Sequence, residues 1–368
     1  PDVILVNEIL SDNGAITLLQ DGLNVYGKTH YQKALFTNGD DTDNMLFYNS
    51  DKVVLHSQDT IDTQLRLINE YVLYYKTDSY SPGDDTTFFY FYSCHLKASS
   101  GGTNEAKRLA EVLRFKQHID ALPNPENIFF GGDFNVYESA EPAYQSLIND
   151  GLYPLNDPLP AGDWHNEPAF AQIHSQSTRT AQFGGGATGG LDDRFDFILY
   201  SDDVSNGQNG VTYVNNSCYS LGNDGNHFNI ALIDPPVNTV VPDSVVQALY
   251  YMSDHLPVLC LLEIDLPEQS HSRHFDLELF LEGPFELSQM TPALLPVLPL
   301  DQPYNQAPWF YTGGEFIDTP DNPDIIDWIL LEIRQTAGGP EDAQTDSIVW
   351  ETACLITKDG QLVDTGLY

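Results

Sequence analysis

Seven polar residues of this 368-residue chain share one placement, each standing where an apolar, strand-like run gives out. Glu8 lies at the end of PDVILVNEIL, His95 at the end of TTFFYFYSCHL, and Asp133 and Asn135 in the GGDFN that follows NIFF. Asp196 lies in RFDFIL, and Asp254 and His255 stand together in SDHLPV. In an α/β sheet, strand ends on one edge open onto a common crevice. That edge would gather carboxylates, an amide and two imidazoles into one place. Such a set suits hydrolysis of a phosphodiester. Carboxylate oxygens hold a hard divalent cation, Mg²⁺ or Mn²⁺. A base activates water and an acid protonates the leaving oxygen. A histidine steadied by an aspartate serves either task. The amide of Asn135 offers a phosphate oxygen a donor without adding charge, and positions 133 and 135 share one side of an extended strand.

Each piece has an ordinary reading when taken alone. Glu8 could be a surface residue, His95 a satisfied core histidine, and Asp196 an isolated ion-pair partner. GGDFN is harder to explain that way, because two apolar residues lead straight into Gly-Gly and two polar groups.

The elements that must position these residues follow from pattern. Strands are expected at PDVILVNEIL, Asn44–Asn49, Arg66–Tyr75, TTFFYFYSCHL, NIFFGGDFN, RFDFILYS and SDHLPVLCLLEI, all rich in aromatic and β-branched residues. Apolar spacing predicts a helix over Asn104–Ala121, stopped by Pro123 and Pro125, and a shorter one over Glu141–Asn149. Strands and helices alternate to Ile264, the pattern of a layered α/β domain over 1–264. A polar stretch, 265–273 (DLPEQSHSR), reads as a linker. Residues 274–368 give short alternating strands, FDLELFLEG, DWILLEIR and ETACLITKDGQLVD, with a hairpin turn at Lys358–Gln361. This is the pattern of a smaller all-β domain, in which Trp309, Tyr311 and Trp328 are expected in the core.

Composition sets limits. The chain carries 54 acidic and 15 basic residues, a formal net charge of −39. No Lys/Arg cluster is present to grip a polyanion, and the surface suits salt or divalent cations. The four cysteines form no C-x-x-C pair, which argues against a zinc knuckle. No apolar run reaches transmembrane length, so stable membrane insertion is not expected. FGGGATGGLDD (183–193) lacks the Lys-Ser/Thr of a phosphate-binding P-loop. Its neighbours HSQSTR and GNDGNHFN place His174, Arg179, Asn226 and His227 on loops, where substrate choice is commonly set.

In this order, the stretches resemble the endonuclease/exonuclease/phosphatase superfamily, which includes DNase I-like nucleases, sphingomyelinases and inositol-phosphate phosphatases. The resemblance covers about 1–264, with Asn7 where glutamine is commoner, and GDFN and SDHLPV as its most specific signatures. It implies a DNase I-like four-layer α/β sandwich. The family's opening strand is expected upstream of Pro1. It further implies that Glu8 and Asp254 hold Mg²⁺, with Mn²⁺ or Ca²⁺ as alternatives, and that Asp133 binds the metal or acts on the attacking water. Asn135 would contact the scissile phosphate. His255, oriented by Asp196, and His95 would be the acid/base histidines, with Glu70 as carboxylate partner of His95. Arg108, in the helix after HLKAS, would meet substrate. The expected activity is metal-dependent phosphodiester hydrolysis, by a nuclease or a small-molecule phosphodiesterase. The alternatives are a phosphomonoesterase, a sphingomyelinase-like lipid phosphodiesterase, or a non-catalytic scaffold with a relict site. The loops also resemble a bacterial, secreted branch of the family, so a secreted or cell-surface setting is expected.

Overall fold

A six-stranded mixed sheet forms because aromatic and β-branched runs recur through the first two hundred residues and find both faces covered. The computed structural model describes residues 1–76, 87–265, 277, 279–282, 284–286, 289–318, 322–334 and 348–363. Two compact units emerge, Pro1–Ser270 and His271–Tyr368. In the first unit the strands are β1 (Val3–Ile9), β2 (Tyr31–Lys33), β3 (Asp43–Asn49), β4 (Val53–Ile61), β5 (Ile68–Tyr75), β6 (Phe88–His95), β7 (Ile128–Asp133), β8 (Leu155–Asn156), β9 (Asp196–Ser201), β10 (Val211–Tyr213), β11 (Tyr219–Ser220), β12 (Val258–Leu259) and β13 (Leu262–Ile264). The α-helices are α1 (Asp12–Thr17), α2 (Gly102–Ala121), α3 (Pro142–Asn149), α4 (Asp202–Asn206) and α5 (Asp243–Met252).

The central sheet has the order β4-β5-β6-β7-β9-β8. Only β6 and β7 run parallel, joined by the α2 crossover. Alternation along β6 and β7 sends Tyr92, Cys94, Ile128 and Phe130 toward Val112, Phe115 and Ile119 of α2 and Tyr144 and Leu147 of α3. Phe89, Phe91 and Phe129 face the other way, into a core shared with β3 of a second sheet, β1-β3-β2. Because β3 is buried along both faces, the second sheet is covered on its outer side too, where α1 packs on β1. The result is the layered α/β sandwich of the DNase I-like fold. A run of rings fixes the floor under GGDFN: Phe115 stacks on Phe130 at 4.0 Å, Phe130 meets Phe134 at 5.0 Å, and Phe134 stacks on Phe197 at 4.7 Å. Each buried Phe contributes about 1.5–3 kcal/mol, so α2, β7 and β9 are pinned to one another directly beneath the polar residues.

Several elements differ from the sequence expectations. SDHLPVLCLLEI is not one strand: β12 pairs with β11 and β13 pairs with β10, in separate two-stranded sheets. The edge strand β4 escapes the pattern because its middle, His56–Thr60, is polar and solvent-facing. Helix α5 escapes it because its Val- and Tyr-rich sequence resembles a strand.

The second unit contains β14 (Phe285–Glu286), β15 (Gln289–Met290), β16 (Ile325–Arg334), β17 (Ile348–Thr357) and β18 (Leu362–Val363). A three-stranded antiparallel sheet, β16-β17-β18, turns through Lys358–Gln361 between its last two strands. Tyr311 and Trp328 lie in its core, but Trp309, contrary to expectation, is 50% exposed, with its ring edge-on to Tyr304. The anticipated strand FDLELFLEG lies partly outside the described residues, and its described part, 277 and 279–282, is not a strand. Of the expected linker, 266–273 also lies outside them. No helix among the described residues is long and apolar enough to cross a membrane.

Candidate active site

Register builds the site. His95 of β6 pairs with Asp133 of β7, and Asp133 pairs with Asp196 of β9. Three polar side chains thus stand on one rung across adjacent strands. Asp196 opens its strand rather than ending it. Since β9 runs antiparallel to β7, the start of one and the end of the other share an edge. Gly132 allows this spacing: at φ +134° it approaches β6 so closely that a Cβ would lie 2.0 Å from the Cys94 carbonyl oxygen. After Asp133 the chain turns, with Asn135 at φ +51° and its N–H donating to Asp133 Oδ1 at 3.0 Å. Its Nδ2 donates to the Leu96 carbonyl at 3.3 Å.

The second sheet contributes Glu8. A register irregularity between Val6 and Ile9 and a φ of +62° turn Glu8 toward the rung, as bulges commonly re-aim a side chain. Glu8 Oε1 lies 3.8 Å from His95 Nδ1, and Asp133 Oδ2 lies 3.4 Å from His95 Nε2. Its neighbour Asn7 ties the sheets together. Asn7 Nδ2 donates to Asn44 Oδ1 at 2.6 Å and to the Cys94 carbonyl at 3.0 Å, while its Oδ1 accepts from the Asp133 N–H at 3.1 Å.

Asp254 and His255 arrive on the segment after α5. His255 Nδ1 meets Asp196 Oδ2 at 2.8 Å, and Ser175 Oγ donates to the same oxygen at 2.6 Å. His255 Nε2 lies 3.9 Å from both Asp133 Oδ2 and Asp254 Oδ2. Asp254 Oδ2 accepts from the Ala187 N–H at 2.6 Å, so the Gly-rich loop folds over it. At Gly186 (φ +83°) a Cβ would come within 2.7 Å of the Asp254 carboxyl carbon.

Burial and charge divide the histidines. Burial pushes His95 down to about 4, and the nearby Arg66 guanidinium and His255 add to this. For His255, burial opposes the charge, but Asp196 at Nδ1, with Asp133 and Asp254 close by, outweighs it and raises the imidazole. Burial raises Asp133, against the pull of His255 and with a further push from Asp196 and Glu8. His95 Nδ1 is buried without a hydrogen-bond partner.

Glu8, His95, Asp133, Asn135, Asp196, Asp254 and His255 therefore come together. Other expected members do not. Glu70 is not the partner of His95. It pairs in register with Tyr92 on the helix-facing side, where it accepts from the Tyr92 hydroxyl at 2.7 Å and meets His118 at 2.7 Å. Arg108 is fully buried, ion-paired to Glu141 at 2.7 Å and donating to the Lys97 and Ser99 carbonyls. It props the loop after β6 instead of meeting solvent. His174, buried, meets the Trp164 carbonyl at 2.7 Å. Arg179 donates to the carbonyls of Tyr250 and Phe183 and so shapes the Gly-rich loop. His227 is enclosed between Asp224 and the Asp234 carbonyl. Asn226 is exposed, and its bonds go to Asp224. Sequence reasoning noted Asn7 only for its residue type and overlooked Ser175 and Gln176. The last two lie inside the HSQSTR stretch, where the larger His174 and Arg179 drew attention instead.

A divalent cation can be tested against these donors. Among the described residues no three His, Cys, Asp or Glu side chains close on one point as a finished cage. Glu8 is 64% exposed, with an unpaired imidazole nitrogen beside it. A hard cation that keeps much of its water needs one or two carboxylates rather than a cage. The oxygen-rich donor set fits that mode.

The sequence pattern of the Endonuclease/Exonuclease/phosphatase family matches residues 1–217, more than half of the chain. No curated protein matches it. Among solved structures, a Danio rerio TDP2 complexed with single-strand DNA product is similar at 14% identity, covering 72% of this chain and 86% of that one, with a TM-score of 0.44. The human Nocturnin catalytic domain with bound sulfate gives 19% identity, 72% and 81% coverage and a TM-score of 0.43. A Bacteroides thetaiotaomicron mannosyl-6-phosphatase gives 15% identity, 71% and 85% coverage and a TM-score of 0.41. On the strength of the family pattern, the chain belongs to the endonuclease/exonuclease/phosphatase family and is a hydrolase of phosphoric esters.

Proposed function

We propose that this protein is a Mg²⁺-dependent phosphodiesterase that prefers small or short phosphodiesters to long polyanions. The observation that carries this is the rung His95–Asp133–Asp196 with His255 set against it. Glu8 and Asp254 would hold the cation, for which Mn²⁺ and Ca²⁺ are the alternatives. Bound there, it would supply neutralisation of the charge that grows on the phosphate oxygens. Asp133, raised by burial, takes a proton from the attacking water. Asp196 fixes the His255 ring so that Nε2 faces the phosphate and moves a proton there. His95, kept neutral, presents its unpaired Nδ1 to a phosphate oxygen. Asn135 turns its amide to another. The preference for small substrates follows from the net charge of −39, which opposes the approach of a polyanion. A secreted or cell-surface setting belongs to this reading, on the sequence resemblance.

Bis-p-nitrophenyl phosphate, DNA, RNA, sphingomyelin and inositol phosphates, assayed with Mg²⁺, Mn²⁺ and Ca²⁺, test it. The expected result is fastest turnover of the small diester, and a His255→Ala variant slower by about 10²–10⁴-fold. A folded wild-type protein inert on the whole panel would overturn the reading.

A further inference from the structure

We infer that Gln176 is a substrate-contacting residue whose carboxamide covers the reacting nitrogen of His255 in the free protein and donates to a phosphate oxygen in the complex. The inference rests on the reading of His255 as a group that meets the phosphate. With Nδ1 committed to Asp196 at 2.8 Å, Nε2 is the ring nitrogen left to face substrate. Gln176 Nε2 lies on it at 2.5 Å. The backbone around Gln176 is held from two sides, because isolated bridges join it to His255 and to Asp193, and its carbonyl accepts from the Asp192 and Asp193 N–H groups at 2.9 Å. The preceding Ser175 hydroxyl donates to Asp196 Oδ2 at 2.6 Å. Two consecutive residues therefore clasp both ends of the Asp196–His255 pair, one on each side of the imidazole. The amide N–H can meet only an unprotonated Nε2; once that nitrogen carries a proton it donates to a phosphate oxygen instead, and the amide must leave it. The amide is then the neighbouring donor. It is uncharged and needs only to rotate about its own side chain to donate to that oxygen, while the backbone stays fixed. Gln176 is half-buried, so its side chain has room to turn outward.

Steady-state kinetics on bis-p-nitrophenyl phosphate with Mg²⁺, beside calorimetric binding of inorganic phosphate, test this in wild type, Gln176→Ala, Gln176→Glu and His255→Ala. Gln176→Ala is expected to raise KM and weaken phosphate binding by about 10- to 100-fold, the range for a hydrogen bond to a charged group. Gln176→Glu should be weaker still, since it sets a carboxylate against the phosphate. Phosphate affinity and KM unchanged in Gln176→Ala, beside an impaired His255→Ala, would overturn the role of Gln176 and leave the phosphodiesterase reading standing. A drop confined to kcat, with phosphate affinity kept, would likewise overturn it, because the amide would then act through His255 and not on the bound phosphate. Phosphate binding that weakens in Gln176→Ala although wild type hydrolyses no diester would support the contact and remove the phosphodiesterase reading alone.

Discussion

His95 and His255 stand on either side of Asp133 and are driven in opposite directions, one toward neutrality and one toward charge. Environments that separate two titratable groups in this way suit a division of tasks, and in the proposed reading His255 moves a proton while His95 only contacts the phosphate. Asp196 and His255 act as a unit, bonded at 2.8 Å, so their losses should not add. We expect Asp196→Ala combined with His255→Ala to lower kcat about as far as His255→Ala alone. Rates on a small diester check this, and a product of the two single losses would show the residues to be independent. Arg108 belongs to a different category. Its fully buried guanidinium is paired with Glu141, and removing one partner of such a pair costs about 3–5 kcal/mol. Arg108→Ala should therefore lower the urea midpoint sharply while the folded fraction keeps its KM. A stable variant with raised KM would return Arg108 to the substrate.

At the scale of elements, one register decides the site. The β6–β7 and β7–β9 pairings set His95, Asp133 and Asp196 abreast, and Gly132 permits the close approach that makes the rung possible. Gly132→Ala would drive a methyl group into the Cys94 carbonyl, so a loss of about 3 kcal/mol or more is expected by chemical denaturation. Indifference to this substitution would mean that the strands can part without cost. The rung was legible in the sequence because alternation fixes where a strand side chain points and the polar residue at its end interrupts it. Loops carry no such period. In HSQSTR nothing in the sequence tells that His174 and Arg179 turn inward to backbone carbonyls while Gln176, between them, turns to His255. Glu70 was misread for a related reason. It lies on the strand beside His95, but its pairing with Tyr92 sends it to the opposite face. Helix α5 was hidden because β-branched and aromatic residues suit strands, and only the packing of Val246 and Leu249 against Leu191, Leu232 and Leu256 settles the helix.

Across the whole molecule, charge is the dominant fact. Described cations are largely spent in local pairs, such as Lys33 with Asp12, Lys52 with Asp2, Arg66 with Asp41 and Arg194 with Asp157. With 54 acidic residues against 15 basic, most carboxylates have no cation to meet. Mutual repulsion opposes the compact state until ions screen it. The screening length falls from ~30 Å at 0.01 M salt to ~8 Å at 0.15 M. The melting temperature should climb steeply over that range, and the rate on DNA relative to a small diester should rise with it. Thermal unfolding and paired rates measured against NaCl check both. A flat or falling melting temperature would mean that the acidic surface is compensated locally.

Asn7 turns the union of the two sheets into something that can be timed. The Asp133 N–H donates to the side-chain oxygen of Asn7, across from one sheet to the other. Fraying at the end of β7 would leave that bond in place as long as the sheets stay together. Deuterium uptake at this single amide would therefore clock how often the two layers slide apart. It would do so at the very carboxylate whose distance from Glu8 such sliding would change.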